Sequence, residues 1–189
     1  MEIDIEDDLF LLAWQRVQEL SDAHLLCFVC SKNAQVRTMV IQQFHGRPSH
    51  ETFKIAKKLI HDKKAVARES GYLILGQLGY PNRPYRPESM PLIMAGLRTE
   101  KLVSVRGAIA VTIGHIKPPV EFHEEIIGVF SRYVDSNKVS LQREVAFGMC
   151  GLSRSENLER LIKKVIKKSN HDEDVLDWIE IALEFIEIR

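Results

Sequence analysis

The sequence predicts an all-α fold, an α-α superhelix of about five helical hairpins with a capping helix at its amino-terminal end. One arginine returns in a similar setting at spacings of 31, 38 and 37 residues, as Arg37, Arg68, Arg106 and Arg143. A glycine follows three of these arginines after eight residues, as Gly76, Gly114 and Gly151, while the first copy has His45 there. Such a period is typical of stacked helical repeats. Apolar residues also recur with helical spacing in nearly every segment, and strand-like alternation is scarce.

The first half of the chain is predicted to form five helices. An amphipathic helix over 8–19 is followed by a short helix over 22–31. Asn33 is the predicted N-cap of a helix that runs to about Phe44, and Gly46-Arg47-Pro48 breaks it. Ser49 is the predicted N-cap of the next helix, and the helix that carries Arg68 should end near Leu78.

The second half begins with an unusual loop. Residues 79–87 contain three prolines, which cannot occupy a helix interior. We expect Pro91 to lie in the first turn of the following helix and Ser104 to cap the helix after that. That helix should end before Pro118-Pro119, and further helices are expected over 120–134, 139–152, 155–168 and 173–187.

The repeated second helices carry a family resemblance. The segments VARESGYLILGQLG at 66–79 and VRGAIAVTIGHI at 105–116 resemble the second helices of HEAT repeats in their bacterial, PBS-lyase-type form. The resemblance covers residues 22–188 and implies one domain, over the whole of 1–189, with repeats at 22–47, 48–79, 87–117, 119–153 and 154–188. It also implies that the repeated arginines bind turn carbonyls or an acid of a neighbouring turn. The final copy has Asp177 in the arginine position, and an acidic last helix suits the solvent-facing end of an array.

Composition predicts no partner by net charge, because Lys+Arg and Asp+Glu both number 26. The charges are nevertheless separated, with acidic ends over 1–8 and 171–189 and a basic body between them. No signal peptide or membrane-spanning stretch is visible, and three cysteines form no disulfide framework. We therefore expect a cytoplasmic protein without a membrane partner.

The sequence predicts no enzyme, metal or cofactor. Cys27 and Cys30 form a lone CxxC, and a zinc site would need further ligands. Two His-Glu pairs, at 50–51 and 123–124, invite comparison with deoxyhypusine hydroxylase, which is similar in architecture but carries four such pairs around two irons. No nucleophile elbow or glycine-rich phosphate loop occurs.

Two lysine groups leave nucleic-acid binding as an alternative. They lie at 54–64 and 163–168. DNA glycosylases of the alkylation-repeat type resemble HEAT proteins and clamp DNA with such residues, but the isoelectric point of about 7.1 favours a solvated, self-paired helix face.

Three sets of residues are candidates for binding a partner protein. The proline loop offers aromatic and arginine side chains, the types that dominate interface hot spots: Tyr80, Arg83, Tyr85 and Arg86. One side of the last helix offers an acidic stripe suited to a basic partner: Asp177, Glu180, Glu184 and Glu187. The exposed stripe of the second helices contributes Gln77 and His115.

These features favour a non-enzymatic protein-binding module. Our specific hypothesis is an immunity or antitoxin-type protein that neutralises a cognate toxin, such as a basic nuclease. A general scaffold or adaptor is an alternative. So is an enzyme of the DNA-repair glycosylase type, or one with bilin-lyase-like chemistry.

Overall fold

Eleven α-helices and no strand occur within the part of the chain that the computed structural model describes, the backbone of residues 5–187 and the side chains of residues 12–185. The helices are α1 (Ile5–Gln18), α2 (Asp22–Phe28), α3 (Ala34–His45), α4 (His50–Leu59), α5 (Ala65–Gln77), α6 (Arg86–Thr99), α7 (Val103–Ile116), α8 (His123–Val134), α9 (Val139–Met149), α10 (Glu156–Lys168) and α11 (Glu173–Glu187). A 3₁₀ turn, Val120–Phe122, precedes α8. None of these helices is long and apolar enough to cross a membrane.

The helices form consecutive antiparallel pairs in two layers. Each even-numbered helix from α2 to α10 packs against the odd-numbered helix that follows it. The second helices of the pairs, α3, α5, α7, α9 and α11, pack side by side in chain order, while α6, α8 and α10 follow one another in the other layer. Helix α1 packs on α3, at the amino-terminal end of this array. The predicted all-α superhelix is confirmed.

Glycines set the close spacing between neighbouring second helices. A Cβ added at Gly76 of α5 would lie 3.1 Å from the Thr112 Cα of α7, and one at Gly114 of α7 would lie 2.7 Å from the Phe147 carbonyl oxygen of α9. A Cβ on Gly151, just after α9, would lie 2.4 Å from the Ile113 carbonyl oxygen. The periodic glycines are therefore the points at which one repeat touches the next, since any side chain there would meet backbone atoms.

The repeated arginines hold the turns between paired helices. Arg37 donates from Nη1 to the carbonyl oxygens of Ser31 and Lys32, at 2.6 and 3.2 Å. Arg143 reaches forward instead, and its guanidinium donates two hydrogen bonds to the Asp172 carboxylate. The expected contacts to turn carbonyls and to a neighbouring acid are confirmed, although Arg37 and Arg68 are the fourth residues of their helices rather than residues at the very start.

Two local predictions of the sequence were wrong. Ser104 does not cap α7, which begins at Val103 with Leu102 in the N-cap position, two residues before the predicted one, and no side-chain hydrogen bond from a described residue caps it. The Glu100 carboxylate instead holds the chain just before the helix, because its Oε1 accepts from the backbone amides of Lys101 and Leu102 at 2.8 and 3.0 Å. Pro91 lies inside α6, because the helix begins earlier, at Arg86, and Pro87 occupies its first turn.

Candidate partner-binding groove

A groove opens where the proline loop meets the ends of the last three second helices. Its volume is about 270 Å³. The loop contributes Tyr80 and Arg83, α7 and its C-cap contribute His115 and Lys117, α9 contributes Phe147, and α11 contributes Trp178, Ile181 and Phe185. Residues separated by about a hundred positions in the chain thus form one surface because consecutive second helices stand side by side.

A row of aromatic rings forms the apolar side of the groove. The ring centroids of His115 and Phe147 are 4.7 Å apart. Phe147 meets Trp178 edge to face, at 4.9 Å and 89°. Phe185 extends the row and leaves 45% of its surface exposed, far more than a core phenylalanine. These distances are those of favourable ring pairs, so the row is a rigid apolar platform open to solvent.

Two cationic side chains border the groove from left-handed backbone positions. Arg83 has φ of 46° in the proline loop, and Lys117 has φ of 52° at the C-cap of α7. The Arg83 guanidinium lies 4.8 Å from the Tyr80 ring centroid, and Lys117 Nζ lies 5.5 Å from the Phe185 centroid. A left-handed conformation costs a residue with a side chain about 1–2 kcal/mol, and glycine avoids that cost. Both cations therefore stand at positions where the backbone alone would favour glycine.

Arg83 carries a buried donor without a partner. Its Nε is enclosed and donates no hydrogen bond, and its Nη1 makes only a long contact, 3.4 Å, to the Pro81 carbonyl oxygen. Burial lowers the pKa of Arg83, the Tyr80 charge raises it and Arg86 lowers it further. A guanidinium stays charged at neutral pH despite such a shift. The groove thus holds a positive charge, and none of the residues that line it is acidic.

His115 is neutral in this setting. Burial lowers its pKa to about 4, and the charge of Arg83 lowers it as well. At neutral pH its ring therefore belongs to the apolar row and adds no charge to the groove.

An acidic ridge runs along α11 beside the groove. Asp177, Glu180 and Glu184 are exposed, and they share the face of the helix adjacent to the one that carries Trp178, Ile181 and Phe185. None of the three forms an ion pair with another described residue. The Glu187 side chain, which was predicted to belong to this ridge, lies outside the described residues.

The comparisons with known proteins bear on the fold alone. No protein-family model matches the chain, and no curated protein matches its sequence. The crystal structure of YibA from Escherichia coli is similar, with a TM-score of 0.75 at 16% sequence identity. The alignment covers 100% of this chain and 66% of YibA, so the chain spans just under two thirds of that protein.

The structure brings together three of the predicted site residues, Tyr80, Arg83 and His115. Tyr85 was nominated for partner contact but packs inward, where its ring stacks on Phe53 of α4 at 5.4 Å and 9°. Arg86 donates from Nη2 to the Lys117 carbonyl oxygen and so ties the proline loop to the end of α7. Gln77, the last residue of α5, does not line the groove. Tyr85 and Arg86 therefore do not line the groove, but they anchor the proline loop to α4 and to the end of α7.

Sequence reasoning missed seven of the ten residues that line the groove. They are Gly114, Lys117, Phe147, Cys150, Trp178, Ile181 and Phe185. Trp178 and Phe185 fell on the apolar side of α11, which predicted burial in the core.

The other candidate chemistries find little support among the described residues. Both ring nitrogens of His123 are engaged, since Nε2 donates to the Pro118 carbonyl oxygen and Nδ1 accepts from the Ser153 amide. Lys164 donates to Ser131 and pairs with Asp135 at 2.8 Å. The two lysine groups lie mainly on α4 and α10, the first helices of their pairs, away from the groove.

Proposed function

We propose that this protein is a non-enzymatic binding module that holds a partner protein at the carboxy-terminal end of its second-helix face. The observation that carries the proposal is the pairing of two surfaces on α11, an exposed acidic ridge that forms no ion pair with the described residues and an apolar groove with a cationic border. Aromatic and arginine side chains are enriched at protein interfaces.

The specific form of the proposal is neutralisation of a toxin with a basic surface, as an immunity protein would do. The ridge of Asp177, Glu180 and Glu184 supports a basic partner, because opposite surface charges steer association and fix the register of docking. A module of this kind needs no catalytic group. It blocks its partner by covering a surface.

Charge reversal on the ridge tests the proposal. We expect the double variant Glu180→Lys and Glu184→Lys to lose the partner that the wild-type protein captures from a lysate of its native cell. The measurement is comparative capture followed by titration of the purified partner at low and high salt. Salt should weaken the wild-type complex, since exposed charges are screened.

A matched control reverses two acids elsewhere. Glu88 of α6 and Glu121 of the 3₁₀ turn are exposed and form no ion pair among the described residues. Glu88→Lys with Glu121→Lys makes the same change in net charge and should leave capture intact. Equal capture by the ridge variant and wild type would remove the ridge from the site. Ridge-dependent capture of several unrelated proteins would favour a scaffold over a dedicated inhibitor.

The nucleic-acid alternative has a direct test. A repair protein of the alkylation-repeat type would bind duplex DNA tightly, with an affinity that falls steeply as salt rises. We expect no such binding, because Lys164 is already paired and the lysine groups lie apart from the groove.

A further inference from the structure

We propose that the groove takes a segment of the partner protein in which a carboxylate side chain lies next to an aromatic side chain. The inference rests on the proposed function in one respect, that the occupant belongs to a protein. It concerns the groove and not the acidic ridge, and the groove is positively charged where the ridge is negatively charged.

The apolar part of the occupant follows from the aromatic row. Phe147 and Trp178 present ring faces and edges to the groove at fixed angles. A further ring seated there gains offset or edge contacts with rings already held in place, so little ordering is needed on this side of the interface. The cavity of about 270 Å³ lies at the small end of ligand pockets, which suits one or two side chains rather than a folded surface.

The carboxylate of the occupant follows from Arg83. The Arg83 guanidinium is half-buried beside the groove, its Nη1 makes only a long contact to the Pro81 carbonyl oxygen, and none of the residues lining the groove is acidic. Lys117 adds a second positive charge at the border of the groove. A carboxylate is the acceptor that a guanidinium binds best, because two parallel hydrogen bonds match its planar geometry. A basic or neutral segment would leave this positive charge without an acidic partner in the groove.

The backbone supports a binding role for these cations. Both Arg83 and Lys117 adopt left-handed conformations that glycine would adopt more easily. Strained positions of this kind concentrate at ligand-binding sites. The positive groove and the negative ridge lie side by side. They would fix the orientation of a bound partner, because its acidic segment must face the groove while its basic surface faces the ridge.

The test uses Trp178 as a local probe. The chain has two tryptophans, so Trp14→Phe leaves Trp178 as the sole tryptophan, whose emission is excited selectively at wavelengths that tyrosine does not absorb. We would titrate this full-length variant with a short peptide, blocked at both ends, that contains adjacent aspartate and phenylalanine. A matched peptide has asparagine in place of aspartate. We expect a saturable change in Trp178 emission, with the aspartate peptide bound about tenfold more tightly, as the loss of a charge-assisted hydrogen bond implies.

Variants at the cation separate binding from folding. Arg83→Met should weaken the aspartate peptide by about tenfold and leave the asparagine peptide unchanged. Arg83→Gly should do the same while relieving the left-handed backbone, so loss of binding cannot be ascribed to unfolding. Arg132→Met, at an exposed arginine of α8, is the control and should bind both peptides as wild type does.

Three outcomes would overturn the proposal. They are equal affinity for the two peptides, unchanged affinity in Arg83→Met, and no saturable change in Trp178 emission at millimolar peptide. Self-association of the chain that Arg83→Met abolishes would also overturn it, since a second copy would then be the occupant. The variant with Glu180→Lys and Glu184→Lys should bind the aspartate peptide as wild type does. If the peptide experiments fail while capture of the partner still depends on the ridge, only the groove proposal is overturned.

Discussion

At the scale of single residues, the Arg68 side chain links two neighbouring repeats. Its Nε donates to Glu100 Oε2 at 2.8 Å, and its Nη1 donates to the carbonyl oxygens of Asp62 and Lys63. Both charged side chains are largely enclosed, at 17% and 11% exposed. Glu100 in turn accepts from the Lys101 and Leu102 amides just before α7, so one arginine binds both the turn before α5 and the carboxylate that orders the segment leading into the next second helix.

We expect Arg68→Met to destabilise the fold by about 2–4 kcal/mol, because it leaves an enclosed carboxylate without its ion pair. Arg98→Met should cost much less, because the Arg98–Glu125 pair is exposed and water screens its attraction. Urea unfolding of the two variants measures the difference. Equal losses of unfolding free energy in the two variants would mean that the burial of the Arg68–Glu100 pair does not increase its contribution to stability.

Glu144 links stability to pH. Its carboxylate lies over Gly107, where an added Cβ would be 1.9 Å from Glu144 Oε2. Burial raises its pKa to about 7, and the charge of Glu69 raises it as well. An unfolded glutamate titrates near pH 4.3. Between these two values the folded state binds the proton and the unfolded state does not, so this group's contribution to stability falls as pH rises.

We therefore expect Glu144→Gln to gain stability relative to wild type as pH rises from 4 to 8, with most of the gain below pH 7. The burial-lowered pKa values of His45 and His115, each about 4, act in the opposite direction below pH 6.5. They are present in both proteins and cancel in the comparison. A stability difference that does not change with pH would show that Glu144 titrates normally.

At the scale of elements, two glycines inside helices differ in whether a neighbouring helix packs against them. Gly114 and Gly128 both lie inside helices, α7 and α8. A Cβ at Gly114 would lie 2.7 Å from Phe147 backbone oxygen, whereas one at Gly128 would meet nothing within 4 Å. Gly114 therefore allows the close approach of α9, whereas the position of Gly128 has open space for a side chain.

We expect Gly114→Ala to cost about 1–3 kcal/mol, because α7 and α9 must move apart. Gly128→Ala should instead stabilise α8 by about 0.5–1 kcal/mol, since alanine is the better helix former. Thermal or urea unfolding of the pair gives the sign of each change. Stabilisation by both substitutions would contradict the close packing of second helices.

Local chemistry in the sequence predicted most element boundaries. Asn33 and Ser49 cap their helices as expected, with side-chain oxygens that accept from backbone amides within three residues. The prediction failed at α7. Ser104 is a better N-cap residue than Leu102, but the helix begins at Val103, and the Leu102 amide just before it donates to the Glu100 carboxylate that Arg68 of the preceding repeat binds. The sequence around Ser104 gives no sign of the distant Arg68.

At the scale of the whole molecule, the period of the arginines and glycines was enough to predict the stacked array. It was not enough to predict the groove. Periodicity indicates which side of α11 is apolar, but it does not predict that Phe185 on that side is 45% exposed. Tyr80 and Arg83 line the same groove as Trp178 because α5, α7, α9 and α11 lie side by side, and the linear sequence does not show that proximity.

Hydrogen exchange of the protein with its captured partner tests most directly whether binding takes place at this end of the array. We predict that the partner slows exchange in residues 79–86 and in α9 and α11, and leaves α4, α8 and α10 unchanged. Protection confined to α4, α8 and α10, with none in α11 or the proline loop, would contradict the assignment of the partner to the groove and ridge.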